Sequence, residues 1–169
     1  MRKIFLLTLA LLIIHAANLF DTEIFFGEEN FADAQKSRWQ GEVAVTENFA
    51  EEVLQLVNLE RDKVGVKPLQ LSPELSEFAD VRVKELPENF SHNRPDGSKW
   101  KTAIKISYRY IGENIAAGQR TPESVVDAWM NSEGHRENIL NPKFGKLGVG
   151  YINAPETDYK HYWVQLFKD

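Results

Sequence analysis

Two histidines and a glutamate lie in short, polar, glycine-marked stretches of this chain rather than on apolar faces. They are His92 in Phe90-Ser91-His92-Asn93, Glu113 in Gly112-Glu113-Asn114-Ile115-Ala116, and His135 in Ser132-Glu133-Gly134-His135-Arg136. Neutral imidazoles and a carboxylate are a set that can bind a divalent metal or do acid–base work. Taken singly, each has a plainer reading. His92 precedes the turn residues Asn93-Arg94-Pro95-Asp96-Gly97 and reads as a solvent-exposed or helix-capping histidine. Glu113 reads as an edge-strand carboxylate facing water, since burying it is costly unless it is paired. His135 reads as a helix-capping or packing histidine, although near a helix start the peptide dipoles disfavour imidazolium and leave the ring free for a proton or a metal. Arg136 and Glu137 beside it are expected in local ion pairs. Ser91 and Ser132 allow a Ser–His–Glu triad to be drawn, but the chain has no Gly-x-Ser-x-Gly elbow. His161 reads as exposed and structural. HExxH, P-loop, GxGxxG and EF-hand patterns are absent.

The elements that must position these residues follow from periodicity. Phe49, Val53, Leu56, Val57 and Val64 recur at helical spacing in a domain that starts near Thr46, with Gly65 as a stop. Ser72-Pro73-Glu74 is a helix start, and Leu75, Phe78, Ala79 and Val83 form its buried stripe before Pro87. Residues 88–98 are turn chemistry. Thr121-Pro122-Glu123 opens a third helix with Val125, Val126, Trp129 and Met130 on its apolar face. Gly134 interrupts the pattern, and a short helix is expected from about His135 to Leu140, stopped by Asn141-Pro142. The tail alternates as two strands, around Leu147 to Ile152 and Tyr162 to Phe167, and a further strand fits Ile111 to Ala116. Helices packed on a small antiparallel sheet make the fold class α+β.

The first residues read as an export signal. Arg2 and Lys3 precede an apolar run from Ile4 to Ile14, broken only by Thr8, and Ala16 and Ala17 follow. Bulky His15 makes a poor cleavage site, so a signal peptide over 1–17 and an uncleaved anchor both remain open. Its removal would take the formal net charge from −5 to −7. That balance argues against nucleic acid as a partner. Residues 18–45 form a tether or arm, with Phe20, Ile24, Phe25, Phe26 and Phe31 as its apolar content. The chain has no cysteine, which excludes disulfides, thiolate zinc ligands and a thiol nucleophile.

In sequence order, Asn58-x-x-Arg61, Phe90-Ser91-His92, Gly112-Glu113-Asn114-Ile115-Ala116, Trp129-Met130-x-Ser132-x-Gly134-His135-Arg136-x-Asn138-Ile139-Leu140, Gly148-Val149-Gly150 and Tyr162-Trp163-x-Gln165-x-Phe167 stand in one domain. Together they resemble the CAP superfamily (cysteine-rich secretory proteins, antigen 5 and pathogenesis-related 1), and above all its bacterial SCP-like extracellular branch. The likeness covers residues 46–169. It implies an α–β–α sandwich with helices on both faces of the sheet, and a central cleft where His92, Glu113 and His135 converge. It also implies a divalent ion, commonly zinc, between His92 and His135, with Asn114 at the cleft wall and Trp129 in the core. The animal and plant members carry a second cleft glutamate where this chain has Ser132, and their disulfides are missing here.

Fold does not settle activity. The expected function is an exported binding module whose cleft takes a divalent metal and a small ligand, such as a lipid, a glycan or a peptide. One alternative is a zinc-assisted hydrolase using His92 and His135 on the metal and Glu113 as ligand or base. Another is a structural envelope or spore protein with a relic cleft. The expected protein is a secreted or membrane-tethered monomer that meets a small ligand or an envelope component and touches membrane only through its amino-terminal segment.

Overall fold

A computed structural model describes residues 49–169; the expected signal at 1–17, the tether at 18–45 and residues 46–48 lie outside the described residues. Helix α1 (residues 49–63) leads to strand β1 (Gln70–Leu71) and helix α2 (Pro73–Glu85). A 3-10 turn (Trp100–Ala103) precedes β2 (Ile111–Ala117), α3 (Pro122–Met130), α4 (Glu133–Ile139), β3 (Lys146–Asn153) and β4 (His161–Lys168). The sheet order is β1-β3-β4-β2. Both β3 and β2 pair antiparallel with β4. The two-residue β1 adds a parallel pairing to β3 that periodicity cannot reveal, because two residues have no period.

Helices cover both faces. Leu75, Ala79 and Val83 of α2, with its C-cap Leu86, pack on Tyr162, Val164 and Leu166 of β4. On the other face, Val53 and Val57 of α1, Val125 and Trp129 of α3 and Ile139 of α4 pack on Trp163 and Phe167. Both sides of β4 are therefore core, and its residues from Tyr162 to Phe167 are all buried. The glycine pair in Gly148-Val149-Gly150 has a steric cause. A Cβ on Gly148 would collide with the backbone of Leu75, and one on Gly150 with that of Ala79, so α2 lies directly on β3.

The helix starts match the caps. Ser72 Oγ accepts from Leu75 N, and Thr121 forms a capping box with Ser124. Helix α4 begins at Glu133, two residues earlier than expected, with Ser132 as N-cap and Gly134 inside the helix. Val64 lies beyond the end of α1 and is 56% exposed, so it is a turn residue and not part of the apolar face.

Asn58 and Arg61 tie α1 to distant loops. Asn58 holds the backbone of Leu69 by both its amide groups. Arg61 is fully buried and has no carboxylate partner among the described residues. Its guanidinium donates to the carbonyls of Lys67, Ile139, Asn141 and Phe144 at 2.8, 2.6, 3.0 and 3.1 Å. Burial lowers its pKa, yet a guanidinium stays charged at any working pH. These bonds hold the end of α4 and the loop after it against α1. Arg61→Ala would leave the carbonyls unpaired in the interior and is expected to destabilise by about 3–5 kcal/mol in denaturant unfolding. Arg61→Lys, whose ammonium cannot span that fork, should recover only part of the loss.

Candidate functional site

Strand β2 lies at the edge of the sheet, and its successive side chains point to opposite faces. Glu113 is in register with Leu166 and turns toward α2; Asn114 is in register with Gln165 and turns toward α4. This alternation puts one dipeptide in contact with both helical layers. The outer carbonyls of the edge are capped as well. Asn138 Nδ2 donates to Glu113 O, and Trp129 Nε1 to Ile115 O, each at 3.3 Å.

On the α2 side, Glu113 is 5% exposed and its carboxylate is shared. Arg82 Nε donates to Oε2 at 2.8 Å, and His92 Nδ1 lies 2.8 Å from Oε1. A carboxylate only accepts, so Nδ1 carries the hydrogen, and in the neutral ring His92 Nε2 keeps its lone pair. The His92 side chain is 53% exposed. Arg82, fully buried, also donates to the carbonyl of Ser91 at 3.0 Å and to Glu85. Glu85 in turn accepts from Arg94 Nε at 2.9 Å, and both arginines hold its pKa low against the opposing effect of burial. The loop that bears His92 is thus fastened to α2 from both ends. Trp100 N donates to His92 O at 3.1 Å and closes it.

On the α4 side, Asn114 Nδ2 donates to the carbonyl of His135 and to Gln165 Oε1, each at 3.1 Å. Asn138 Nδ2 donates to Asn114 Oδ1 at 2.9 Å. His135 is half-buried, and its pKa is lowered first by burial and then by the charge His92 can take up. The Glu113-Asn114 pair thus touches both histidines, His92 by its ring and His135 by its backbone carbonyl.

Ser132 caps α4 without a side-chain bond, and Ser91 Oγ accepts from Asn93 N at 3.1 Å. Among the described residues neither serine is hydrogen-bonded to a histidine, so no triad is formed there. Arg136 forms no ion pair among the described residues; its NH1 donates to Met130 O at 3.0 Å. Glu113, read alone as facing water, is instead buried and paired. His161 is not exposed but half-buried, with Nδ1 2.9 Å from Tyr151 OH. Among the described residues, no group of three or more His, Cys, Asp or Glu is placed to hold a metal.

Sequence reasoning missed Arg82, although a signal existed: it falls on the buried stripe of α2, one residue before Val83, where an unpaired charge has no place. Asn138 and Gln165 stood in the motifs with no role given to them. Away from the histidines, a hollow between α1 and α3 is lined by Leu56, Leu59, Val126 and Met130 together with Glu60 and Asp127.

The cysteine-rich secretory protein family model, CAP, matches residues 54–167. The chain is 45% identical over 124 residues to the uncharacterized protein YkwD of Bacillus subtilis strain 168, covering 70% of this chain and 46% of that protein. An extracellular protein with an SCP domain from Bacillus anthracis strain Ames superposes with a TM-score of 0.64 at 27% identity, covering 73% of this chain and 41% of that one. NaASP2, in a structure with Zn²⁺, superposes with a TM-score of 0.53 at 16% identity over 72% of this chain and 80% of that one, which bears on the fold alone. The chain spans less than half the length of YkwD and of the B. anthracis protein. A matched family model over most of the chain, with a relative this similar, makes the protein a member of the cysteine-rich secretory protein (CAP) family.

Proposed function

We propose that the protein is an exported CAP-domain binding module in which His92 and His135 take up a divalent metal, with zinc as the ion to test. One observation carries the reading: Glu113 fixes His92 by its Nδ1 hydrogen and leaves Nε2 as a free donor atom. That is the arrangement by which a second-layer carboxylate prepares a metal-binding histidine. His135, kept neutral by burial, supplies the second imidazole. The donor set fits zinc, which accepts imidazole nitrogen readily, but offers it only two protein ligands. A bound ion would retain open positions for water or for a small ligand from outside. NaASP2, similar in fold, has been crystallised with Zn²⁺, and the B. anthracis relative is described as extracellular; both support the choice of ion and of compartment.

The binding reading is favoured over the hydrolase. Glu113 is held by Arg82 and His92 through both its oxygens, so it orients His92 rather than offering a free base. Ser132 stands where the animal and plant members of the family carry a second cleft glutamate.

Isothermal calorimetry and thermal melting with zinc test the proposal. Free zinc at roughly 100 times Kd should stabilise the wild type by about 2.7 kcal/mol. His92→Ala and His135→Ala should each abolish the effect, and zinc heats unchanged in both variants would refute the assignment. Arg82→Gln, which frees Glu113 from its clamp, should weaken zinc binding by about tenfold or more through the loosened His92. A variant that melts lower yet binds zinc as tightly would confine Arg82 to stability.

His135 also predicts a pH dependence. Its folded pKa lies below 6.5, so below that value the unfolded chain binds the proton more readily. Stability should therefore fall as pH drops through about 6.5, and His135→Gln should show a shallower slope over pH 5.5–7.5. Equal slopes in denaturant titrations would show that His135 is not the group responsible.

A further inference from the structure

The chain is acidic overall, with a formal net charge of −5, but its cations are not evenly spread. From Gly97 to Gly112 it carries Lys99, Lys101, Lys105 and Arg109 and no acid. The structure gathers part of this segment with other cations at the end of the sheet where β2 begins and β4 finishes. Lys168 Nζ donates to Ser107 O at 3.0 Å. Lys143 Nζ stands 4.6 Å from the centre of the Tyr110 ring. Lys146 lies directly across from Lys168 in the β3–β4 register.

Like charges opposite one another on neighbouring strands repel. Arg109, Lys143, Lys146 and Lys168 form no ion pair among the described residues, and Asp169 offsets only part of the charge, through Arg109. Lys146 Nζ donates instead to the neutral Gln70 Oε1 at 2.6 Å. The acid facing the group is Asp169, whose Oδ1 already accepts the backbone N–H groups of Arg109 and Tyr110 at 2.9 and 3.1 Å. Tyr108 and Tyr110, each 38% exposed, stand in the same segment.

We infer that this end of the sheet docks on an anionic lipid bilayer, with Arg109, Lys143, Lys146 and Lys168 toward the phosphate-bearing headgroups and the two phenol rings at headgroup depth. Clustered lysines and arginines are drawn to an anionic leaflet, and tyrosine favours its interface because an apolar ring ends in a polar hydroxyl. The form of the charge distribution favours a bilayer over nucleic acid. A flexible polyanion that follows the surface also meets the acidic remainder of the domain, whereas a planar surface meets this end alone. The proposal widens the sequence expectation, in which only the amino-terminal segment meets membrane, and does not depend on metal.

Co-sedimentation of the full chain, without zinc, tests it with vesicles of phosphatidylcholine alone and of phosphatidylcholine mixed with phosphatidylglycerol. Attachment through the apolar residues near the amino terminus is common to both vesicles, so the ratio of the two partition coefficients isolates the charge. The wild type should favour the anionic vesicles by roughly tenfold or more at low salt, and the preference should shrink as salt rises. The triple variant Lys143→Gln, Lys146→Gln, Lys168→Gln should lose most of it while still melting as a folded domain, since relief of the Lys146–Lys168 repulsion offsets the loss of the exposed Lys168–Ser107, Lys146–Gln70 and Lys143–Tyr110 contacts. Tyr108→Ala with Tyr110→Ala should weaken binding and leave the salt dependence intact. A wild type with no anionic preference, or a triple variant that keeps it, would overturn the proposal. So would a DNA duplex that binds as tightly as the anionic vesicles.

Discussion

A guanidinium and a carboxylate with almost no access to water, Arg82 and Glu113, stand at the join between α2 and the sheet. Taking both charges out of water costs several kcal/mol per ion, and their attraction offsets this only when the remaining donors and acceptors are also satisfied. Here they are. Both oxygens of Glu113 have partners, and the other N–H groups of Arg82 reach Glu85 and the Ser91 carbonyl. Such a closed network adds little net stability over a well-packed apolar core, while loss of one member leaves a buried charge alone. Its effect is positional. It settles where the 89–93 loop lies and which nitrogen of His92 faces outward.

The position of β2 at the sheet edge lets two adjacent residues engage a histidine from each helical side: Glu113 takes the His92 ring and Asn114 the backbone carbonyl of His135. Asn138 and Trp129 cap the carbonyls there, which removes the unpaired edge as a template for aggregation and anchors α3 and α4 at the same time. The Asn114–Asn138–Gln165 amides then hold the backbone of α4 at His135, so that side is set by neutral hydrogen bonds and the α2 side by charge.

The fold was readable wherever a local rule had one outcome. Ser72-Pro73 and Thr121-Pro122 start helices because cap geometry is local, and β4 alternates between two apolar sets because both of its faces are covered. The site was readable in its residue types and not in its wiring. His92 and Glu113 are 21 residues apart, and nothing in their spacing says that one carboxylate oxygen serves the histidine while the other serves Arg82. Burial of Glu113 could not be read from an apolar strand with a single charge, because pairing is a tertiary fact. Arg82 was the exception: a charge on a buried stripe implies a partner, even when the partner's identity is hidden. Arg61 stood in a motif, but its partners are backbone carbonyls, which carry no sequence signature at all. The cationic end of the sheet was hidden for another reason. Net charge averages over the surface, and Lys146 and Lys168 become neighbours only through strand register.

The histidine site and the cationic end are close along the chain, since Tyr110 and Glu113 are three residues apart, a span of about 10 Å in extended backbone. Their coupling can be bounded. An anionic leaflet holds about −30 mV at its surface. One Debye length is about 8 Å at physiological salt. At a depth of about 10 Å the potential has fallen to roughly −9 mV, which enriches a divalent cation only about twofold. Protons are enriched by less still, and burial of His135 opposes their uptake. A twofold gain in local zinc is small beside the tenfold or larger losses that follow from displacing a histidine's supporting carboxylate. The proposed metal uptake would thus be governed by the Arg82–Glu113–His92 wiring and hardly by docking, so the two properties can be present, or absent, independently of one another.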